Sequence, residues 1–324
     1  MPFSQHDLKL DCAQEADRIG ETLKRQLREI RRKGLVLGIS GGIDSAVTAS
    51  LAVRALDAER VTGLFMPEAD SEAESLTLGR LLAHSLGMHC ELEDIAPVLT
   101  ALKCYERRNA AVASVIPGFT PEWKFKIVLP GAGHEGLKFF SVVARSPAGE
   151  EVKKRLPLDA YLAIVAATNF KQRVRKTVEY YWADRLNFAV AGTPNRLEFD
   201  QGFFVKQGDG AADIKPIAHL YKTQVYQMAD YLGVPPEIRS RPPTTDTYSL
   251  PQGQDEFYFS LPYDKLDLCL YGKNHDIAAS DIAAAAGLTT AEVEFVLKDI
   301  DTKRSTTRYQ HLKPFLMEEI AHVG

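Results

Sequence analysis

The chain has 324 residues, of which 45% are hydrophobic and 25% charged, a composition typical of a soluble globular protein. Its 39 basic and 43 acidic residues give a net charge of −4, which argues against nucleic acid as the main partner, because binding to phosphate backbones needs a basic surface. No apolar run approaches the roughly 20 residues that cross a bilayer, and the N-terminus lacks the charged-then-apolar pattern of a secretory signal. The sequence therefore predicts a cytoplasmic protein with no membrane segment.

The four cysteines are Cys12, Cys90, Cys104 and Cys269, and no two of them form a CxxC pair. Such scattered positions argue against a zinc or iron–sulfur site. They favour buried free thiols in a reducing cytoplasm.

The first third of the chain alternates between helical and strand-like patterns. Ile19, Leu23, Leu27 and Ile30 are apolar at helical spacing among charged residues and predict an amphipathic helix within residues 7–32. The predicted elements that follow are a strand at 34–40, a helix at 44–56, a strand at 61–66, a helix at 71–86 and a strand at 88–92. Strands that alternate with helices predict an α/β fold, a parallel sheet with helices on both faces.

The alternation is interrupted at residues 105–157. Two β-like runs, WKFKIVLP and LKFFSVVARSP, predict a β-hairpin inserted into a single domain of residues 1–324, because the segment is too short for a core of its own. Between the two runs, Gly131–Gly136 (GAGHEG) formally matches the dinucleotide-binding pattern GxGxxG. The residues after it are strand-like rather than helical, so we interpret it as the hairpin turn.

The α/β pattern resumes after the insertion. The predicted elements are a helix at 158–183, a strand at 188–192, a polar, glycine-rich stretch at 193–213, a helix at 219–232 and a helical tail. Residues 241–262, with prolines and aromatic residues, are expected to form a functional loop. Ser71 with Glu74 and Thr289 with Glu292 have the spacing of capping boxes and predict helix starts.

The segment Ser40–Ser45 (SGGIDS) lies between the first strand and the following helix. Glycines let the backbone turn sharply and approach a ligand, and a helix N-terminus adds unpaired N–H donors. Two serine hydroxyls can donate hydrogen bonds, and the carboxylate of Asp44 can hold magnesium. The pattern predicts a pyrophosphate site; the alternative is a tight turn in which Asp44 or Ser45 only caps the helix.

The complete SGGxDS string resembles the signature of the N-type ATP pyrophosphatases. That superfamily includes synthetases of NAD, GMP, asparagine and argininosuccinate, and several tRNA-modifying enzymes. No Walker A pattern occurs in the chain. The resemblance implies an adenine-nucleotide alpha-hydrolase-like fold and cleavage of ATP between its α and β phosphates.

Within this superfamily, the stretch from Ala191 to Asp213, continued by IKPIAHLYKTQV, resembles the NAD synthetase pattern. The family has a Gly-Thr dipeptide, a Glu five residues after the Thr, a TKYGDG-like loop, and then Asp, Pro and Lys. All these spacings occur here. The resemblance implies an enzyme that adenylates the carboxylate of deamido-NAD (nicotinate adenine dinucleotide) and transfers it to ammonia, with ATP and Mg²⁺.

The resemblance also implies roles for individual positions. The catalytic residue is Asp209, placed near the reacting carboxylate and ammonia, and the metal ligands are Asp44 and Glu198. The substrate-binding residues are Arg173, Lys206, Asp213 and Lys303. The ATP-binding residues are Gly38, Ile39, Ser40, Gly41, Gly42, Ile43, Asp44, Ser45, Thr193, Lys222 and Thr244. For the residues outside the glycine loop, the alternative is a solvated side chain on a loop or helix surface, so the shared spacing supports them only as a set.

Three features concern the limits of the resemblance. The family's C-terminal His-Lys-Arg element is Thr302-Lys303-Arg304 here, and the insertion 105–157 is unusual for ammonia-dependent members. Only 39 residues precede Ser40, too few for a glutaminase domain, so ammonia is expected to be free or supplied by a separate glutaminase subunit. The resemblance also implies a homodimer with the dinucleotide site near its interface.

Other functions remain open at this stage. The same chemistry could act on a different carboxylate. A tRNA thiolase or lysidine-type enzyme is disfavoured by the acidic net charge and the missing cysteine pair. A nucleotide-sensing protein without enzyme activity would not need to retain Asp44, Glu198 and Lys222.

Overall fold

The computed structural model describes residues 2–129, 140–244, 247–253, 258–259, 261–318 and 320. Four strands of the described chain form a parallel sheet in the order β3-β2-β1-β7. They are β1 (Leu35–Gly38), β2 (Val61–Phe65), β3 (His89–Leu92) and β7 (Ala189–Val190). Each coincides with a strand that the sequence predicts, and the parallel sheet is confirmed.

Helices cover both faces of this sheet, as predicted. On one face of the sheet, Leu35 and Leu37 of β1 pack in a buried cluster with residues of the first, second and eighth helices. On the other face, Val36 packs in a separate cluster with residues of the sixth helix. Successive strand residues point to opposite faces, so each face of β1 has its own core. The helices are α1 (Cys12–Glu29), α2 (Ile43–Leu56), α3 (Ala73–Leu86), α4 (Ala96–Ala101), α5 (Cys104–Ala113), α6 (Leu158–Leu186), α7 (Arg196–Gln201), α8 (Lys222–Tyr231), α9 (Pro236–Ser240), α10 (Tyr263–Asn274), α11 (Ala279–Ala286) and α12 (Thr290–His311).

The insertion contains the predicted antiparallel pair, β4 (Lys124–Val128) and β5 (Ser141–Arg145). The structure adds helix α5 before this pair and a third antiparallel strand, β6 (Glu151–Arg155), after it. The sequence EVKKR did not suggest a strand, because four of its five residues are charged and it lies at an exposed edge of the small sheet. The predicted turn at Gly131–Gly136 lies outside the described residues.

The two predicted capping boxes have different outcomes. Thr289 and Glu292 form one at the start of α12, as predicted. The prediction for Ser71 was wrong: α3 begins at Ala73, and the Ser71 hydroxyl instead accepts a hydrogen bond from the backbone N–H of Glu68 (3.1 Å). The missed helix α7 has a capping box of its own, formed by Asn195 and Glu198. It sits inside the stretch that the sequence predicts as a loop.

All four cysteines are free thiols, and Cys104 and Cys269 are buried, whereas Cys12 and Cys90 are half-buried. Burial raises the pKa of Cys90 and of Cys269 to about 11, so both are protonated at neutral pH. Among the described residues, no helix combines the length and apolar character needed to span a bilayer.

Candidate active site

The loops that follow β1, β2 and β7 border a cleft of about 560 Å³. In an open parallel sheet, ligands bind beyond the carboxyl ends of the strands, where these loops converge. On the other side, the cleft is bordered by α6, by Phe140 of the insertion and by the segment around Thr244 and Tyr248. One wall is therefore formed by the core sheet, and the opposite wall by α6 and the segment around Thr244 and Tyr248, with Phe140 as the insertion's contribution to the lining.

The glycine loop Ser40–Ser45 enters the cleft at the start of α2. Gly41 has a φ of 75°, and a side-chain carbon there would lie 2.5 Å from the Ser75 carbonyl oxygen, so only glycine fits. Gly42 is the N-cap residue of α2 and has no side chain to accept hydrogen bonds from the first N–H groups of that helix. The first N–H groups of α2 thus remain available to an anion.

Two serines brace this loop from within. The Ser40 hydroxyl accepts a hydrogen bond from the Gly42 N–H (3.2 Å) and lies 3.0 Å from the Ser45 hydroxyl oxygen. Ser45 in turn donates to the Gly42 carbonyl (3.0 Å). The loop is held in its turn before any ligand binds. Most predicted loop residues line the cleft: Gly38, Ile39, Ser40, Gly42, Ile43, Asp44 and Ser45. Gly41 does not, and its role is to let the chain turn against Ser75.

Asp44, Glu198 and Lys222 form a charged group beside the loop. The Lys222 ammonium, on a fully buried residue, contacts an Asp44 carboxylate oxygen. Burial alone would lower the pKa of Lys222, but the negative charges of Asp44 and Glu198 outweigh it and raise the pKa above its usual range. Burial and then the charge of Asp44 raise the pKa of Glu198 to about 8. One lysine therefore faces two carboxylates, and this excess of acidic groups favours the binding of a further cation at the same place.

Asn195 fixes the two carboxylates relative to each other. Its side-chain amide donates to Asp44 (3.1 Å), its backbone N–H donates to the Glu198 carboxylate (3.2 Å), and its side-chain oxygen accepts from the Glu198 N–H (3.2 Å). The capping box of α7 thus also aims Glu198 at Asp44. Sequence reasoning missed Asn195, although its spacing to Glu198 is that of an N-cap residue.

Arg173 and Lys206 line the other part of the cleft. The Arg173 guanidinium donates to the Lys206 carbonyl (3.3 Å), and the Lys206 ammonium donates to the carbonyls of Tyr309 (2.8 Å) and Leu312 (3.1 Å) at the end of α12. Both cations are therefore held at the cleft by backbone oxygens. Such a pair suits an anionic substrate.

Asp209 lines the cleft and accepts a hydrogen bond from the Val205 N–H (2.8 Å). Removal from solvent raises its pKa, because burial penalises the charged carboxylate. Lys176 and Glu179 line the same region as a buried ion pair (2.5 Å) that the sequence did not suggest. Burial also raises the pKa of Glu179.

Two predicted substrate residues are not part of the cleft lining, although Tyr258, a partner of Lys303, is. Asp213 accepts hydrogen bonds from the Val190 N–H (2.7 Å) and the Tyr180 hydroxyl (3.3 Å), and it does not line the cleft. Lys303 donates to the Tyr258 carbonyl (2.7 Å) and pairs with Asp299 (2.7 Å), again outside the cleft lining. Thr193 and Thr244, by contrast, both line it.

Comparison with known proteins gives a consistent result. The model of the family described as NAD synthase matches residues 15–115 and 150–310. The NH(3)-dependent NAD(+) synthetase of Rhizobium meliloti (strain 1021) is 57% identical over 322 residues, 99% of this chain and 96% of that protein. The synthetase of the same name from Thermotoga neapolitana is 34% identical over 263 residues, 80% of this chain and 84% of that protein.

Solved structures show the same fold. An NMN synthetase from Francisella tularensis superposes with a TM-score of 0.67 at 23% identity, over 96% of this chain and 100% of that one. An NAD+ synthetase from Burkholderia pseudomallei superposes with a TM-score of 0.58 at 25% identity, over 94% of each chain. The shared fold, the high identity to the curated synthetases and the extent of the family match agree. This chain belongs to the NAD synthase family.

Proposed function

We propose that this protein is an ammonia-dependent NAD synthetase. It uses ATP to adenylate the carboxylate of deamido-NAD and transfers the acyl group to ammonia, which yields NAD, AMP and pyrophosphate. The observation that carries the proposal is the meeting, in one cleft, of the uncapped N-terminus of α2 with Lys222 and two carboxylates. The relatives that share the chain's length carry the matching name.

In the first step, a carboxylate oxygen of deamido-NAD attacks the α-phosphorus of ATP. The bond from that phosphorus to the bridging oxygen breaks, and pyrophosphate leaves. We place the leaving group at the N–H groups of the Ser40–Ser45 loop, with the Lys222 ammonium beside it, because preformed donors stabilise negative charge as it develops. Thr193 and Thr244, which line the cleft, are the proposed hydroxyl contacts to ATP.

In the second step, the nitrogen of ammonia attacks the acyl carbon. The acyl bond to the AMP oxygen breaks, and the nitrogen loses one proton. We assign Asp209 as the acceptor of that proton, since it lines the cleft and burial raises the pKa of its carboxyl group, which makes the carboxylate a stronger base. Arg173 and Lys206 are the proposed contacts to the phosphates of the dinucleotide.

Asp44 and Glu198 are the proposed Mg²⁺ ligands. Carboxylate oxygens are the donors that Mg²⁺ prefers, and the charge of Asp44 contributes to the raised pKa of Glu198, so a divalent ion would relieve that repulsion. A bound Mg²⁺ supplies charge neutralisation for the phosphates of ATP. Asp44 also contacts Lys222, so its carboxylate would be shared between that ammonium and a bound Mg²⁺.

We further propose a homodimer of single-domain subunits, each with residues 105–157 inserted. Leu158 and Leu162, four residues apart on one face of α6, are 68% and 52% exposed and form an apolar patch that a second subunit would cover. Light scattering should give a mass twice that of the chain, and the measured mass should fall towards that of one chain in Leu162→Lys. We expect the enzyme to act in the cytoplasm on free ammonia or on ammonia from a separate glutaminase.

The deciding experiment measures AMP, pyrophosphate and NAD from Mg-ATP and ammonium, with and without deamido-NAD. Product formation that requires deamido-NAD supports the proposal. Nicotinate mononucleotide serves as the matched substrate, because it carries the same acyl group without the adenylate half. Turnover of the mononucleotide alone, or of neither compound, would contradict the assignment of the dinucleotide.

A further inference from the structure

The insertion contacts the segment that carries part of the ATP site. Strand β4 forms one edge of the three-stranded sheet β4-β5-β6, and residues 247–253 run along that edge. The Leu250 N–H donates to the Phe125 carbonyl (3.1 Å), and the Phe125 N–H donates to the Ser249 hydroxyl (2.9 Å). The Gln252 amide contacts the Ile127 carbonyl. Backbone groups of β4 that would otherwise form a bare strand edge are thus partnered by this segment.

The same segment continues into the cleft. Thr244 forms an antiparallel bridge with Gly253, and Thr244, Thr247 and Tyr248 line the cleft. The Tyr248 ring is buried and packs against Phe125 of β4 with ring centroids 5.6 Å apart. Movement of the β4 edge would therefore move the residues that border the ATP site.

A buried ionic junction provides a second connection. The Lys171 ammonium, on a side chain only 1% exposed, donates to Glu68 (2.9 Å), Asp70 (2.7 Å) and the Thr247 carbonyl (2.8 Å). Arg108 of the insertion also contacts Asp70. This junction joins the loop after β2, helix α6, the insertion and residues 247–253 at one point.

The insertion also closes the ionic junction from the other side. The Tyr105 hydroxyl donates to Glu68 (2.8 Å) and accepts from the Ala69 N–H (3.2 Å). Pro67, Ser71 and Glu72, in the same loop after β2, line the cleft. The loop after β2 and residues 247–253, which both border the cleft, are thus held by residues of the insertion.

We propose that the insertion is an active-site wall that positions residues 247–253, and with them Thr244, for ATP binding. Ser249 and Lys171 are its positioning residues. Without these contacts, residues 247–253 would have to be ordered by ATP itself, at an entropic cost to affinity. The family model does not match residues 116–149, so β4 and β5, including Phe125, lie outside that model. The proposal rests on ATP being the ligand of the proposed function.

The test compares Ser249→Ala with Ser146→Ala. Both hydroxyls accept one backbone N–H, Ser249 from Phe125 (2.9 Å) and Ser146 from Glu150 (3.1 Å) in the β5–β6 turn, but only Ser249 joins the insertion to the cleft segment. We expect Ser249→Ala to raise the KM for ATP about fivefold, with kcat changed less than about twofold, since one hydrogen bond is lost. Ser146→Ala should leave both constants unchanged.

Hydrogen exchange on the ligand-free protein separates positioning from general stability. Ser249→Ala should speed exchange at residues 247–253 and leave the core sheet protected, whereas Ser146→Ala should do neither. Tyr105→Phe, with the exposed Tyr181→Phe as its control, tests the ionic junction and should speed exchange in the loop after β2. An unchanged ATP KM in Ser249→Ala, or unchanged exchange at 247–253, would overturn the proposal.

The two proposals fail separately. If the wild-type protein made no NAD, the proposed function would fall. The positioning role would then be decided by exchange and by the equilibrium Kd for Mg-ATP. A Kd raised about fivefold in Ser249→Ala alone would support the wall; equal Kd values in both serine variants would overturn it.

Discussion

The cleft has one wall in the core sheet and one formed by α6 and residues that the insertion contacts. The hydrogen bonds that fix the residues of these two walls differ in sequence separation. In the glycine loop, Ser40 and Ser45 bond each other five residues apart. In the opposite wall, Phe125 bonds Ser249 across 124 positions, and Lys171 bonds Thr247 across 76. The first wall depends on backbone geometry that a short segment can encode. The second exists only when distant segments have assembled.

The charged group beside the glycine loop combines both kinds of contact. Asp44 belongs to the local loop, yet Lys222 reaches it from 178 positions away. The local segment can thus shape an anion site alone, but it obtains its buried cation from α8. Some variants remove contacts within the glycine loop, and others remove contacts between distant segments. Comparing them shows which kind of contact controls catalysis and which controls the stability of the fold.

The largest effect is expected for Lys222→Met. It removes the buried ammonium between Asp44 and Glu198, so the pyrophosphate loses a preformed cation and the carboxylates repel each other. We expect kcat/KM to fall about a thousandfold, the upper range for one electrostatic group in an active site. Steady-state NAD formation measures it. Lys24→Met, at an exposed ion pair with Glu21, is the control and should change nothing. A fall of less than tenfold would contradict the assigned role.

The second test is Gly41→Ala, which perturbs the glycine loop. Its positive φ and the 2.5 Å approach to the Ser75 carbonyl both disfavour a side chain, so the loop has to shift and activity should fall about a hundredfold. Gly87→Ala is a matched control, because Gly87 has a φ of 60° with no atom near the added carbon. It should cost about 1 kcal/mol in unfolding free energy and leave kcat/KM unchanged. Equal activity in both variants would contradict the role of the close approach.

The third test, Asp70→Asn, perturbs the ionic junction at Lys171 and has a defined pH dependence. Burial would raise the pKa of Asp70, but the charges of Lys171 and Arg108 outweigh it and lower the pKa below its usual range. The lowered pKa contributes stability that is present above the unfolded-state pKa, about 3.9, and is lost as pH falls through the folded-state value. Asp70→Asn should cost about 3 kcal/mol at pH 7 and flatten the loss of stability below pH 4.

Urea unfolding at several pH values measures this effect. Asp17→Asn is the control, because Asp17 forms an exposed ion pair with Arg54 and should contribute less than about 1 kcal/mol. If the two variants had the same pH profile, Asp70 would have no special coupling to its two cations.

The two walls also differ in how far the sequence reveals them. Three features could be predicted from local sequence patterns: the parallel sheet, the helices on its two faces and the glycine loop. Each depends on periodicity or on residue types within a few positions of one another. Glu198 and Lys222 were found by spacing to a family pattern, and the structure places both beside Asp44. Asn195, Lys176 and Glu179 were missed, because a buried polar side chain looks like a surface one until its partner is known.

Spacing alone does not say what a side chain contacts. Asp213 and Lys303 fit the family pattern, and only the structure shows that they bond the Val190 N–H and the carbonyl of Tyr258, which lines the cleft. Their role in substrate binding stays a prediction. The third strand of the insertion was missed for a related reason. Its charged residues carry no alternation of apolar and polar side chains, and only pairing with β5 makes it a strand.

The smallest effect is expected from removing one methyl group in each region. Ile127 of β4 and Ile282 of α11 are both fully buried, so Ile127→Val and Ile282→Val should each cost about 1 kcal/mol in unfolding free energy. The Ile127 carbonyl, however, contacts the Gln252 amide, so slight repacking of β4 reaches residues 247–253. Hydrogen exchange there should quicken in Ile127→Val only, while the ATP KM rises less than about twofold, because the backbone hydrogen bonds themselves are kept. If both variants left that exchange unchanged, the β4 edge would be rigid to core repacking, and the coupling of the two walls would depend on the ionic junction at Lys171 instead.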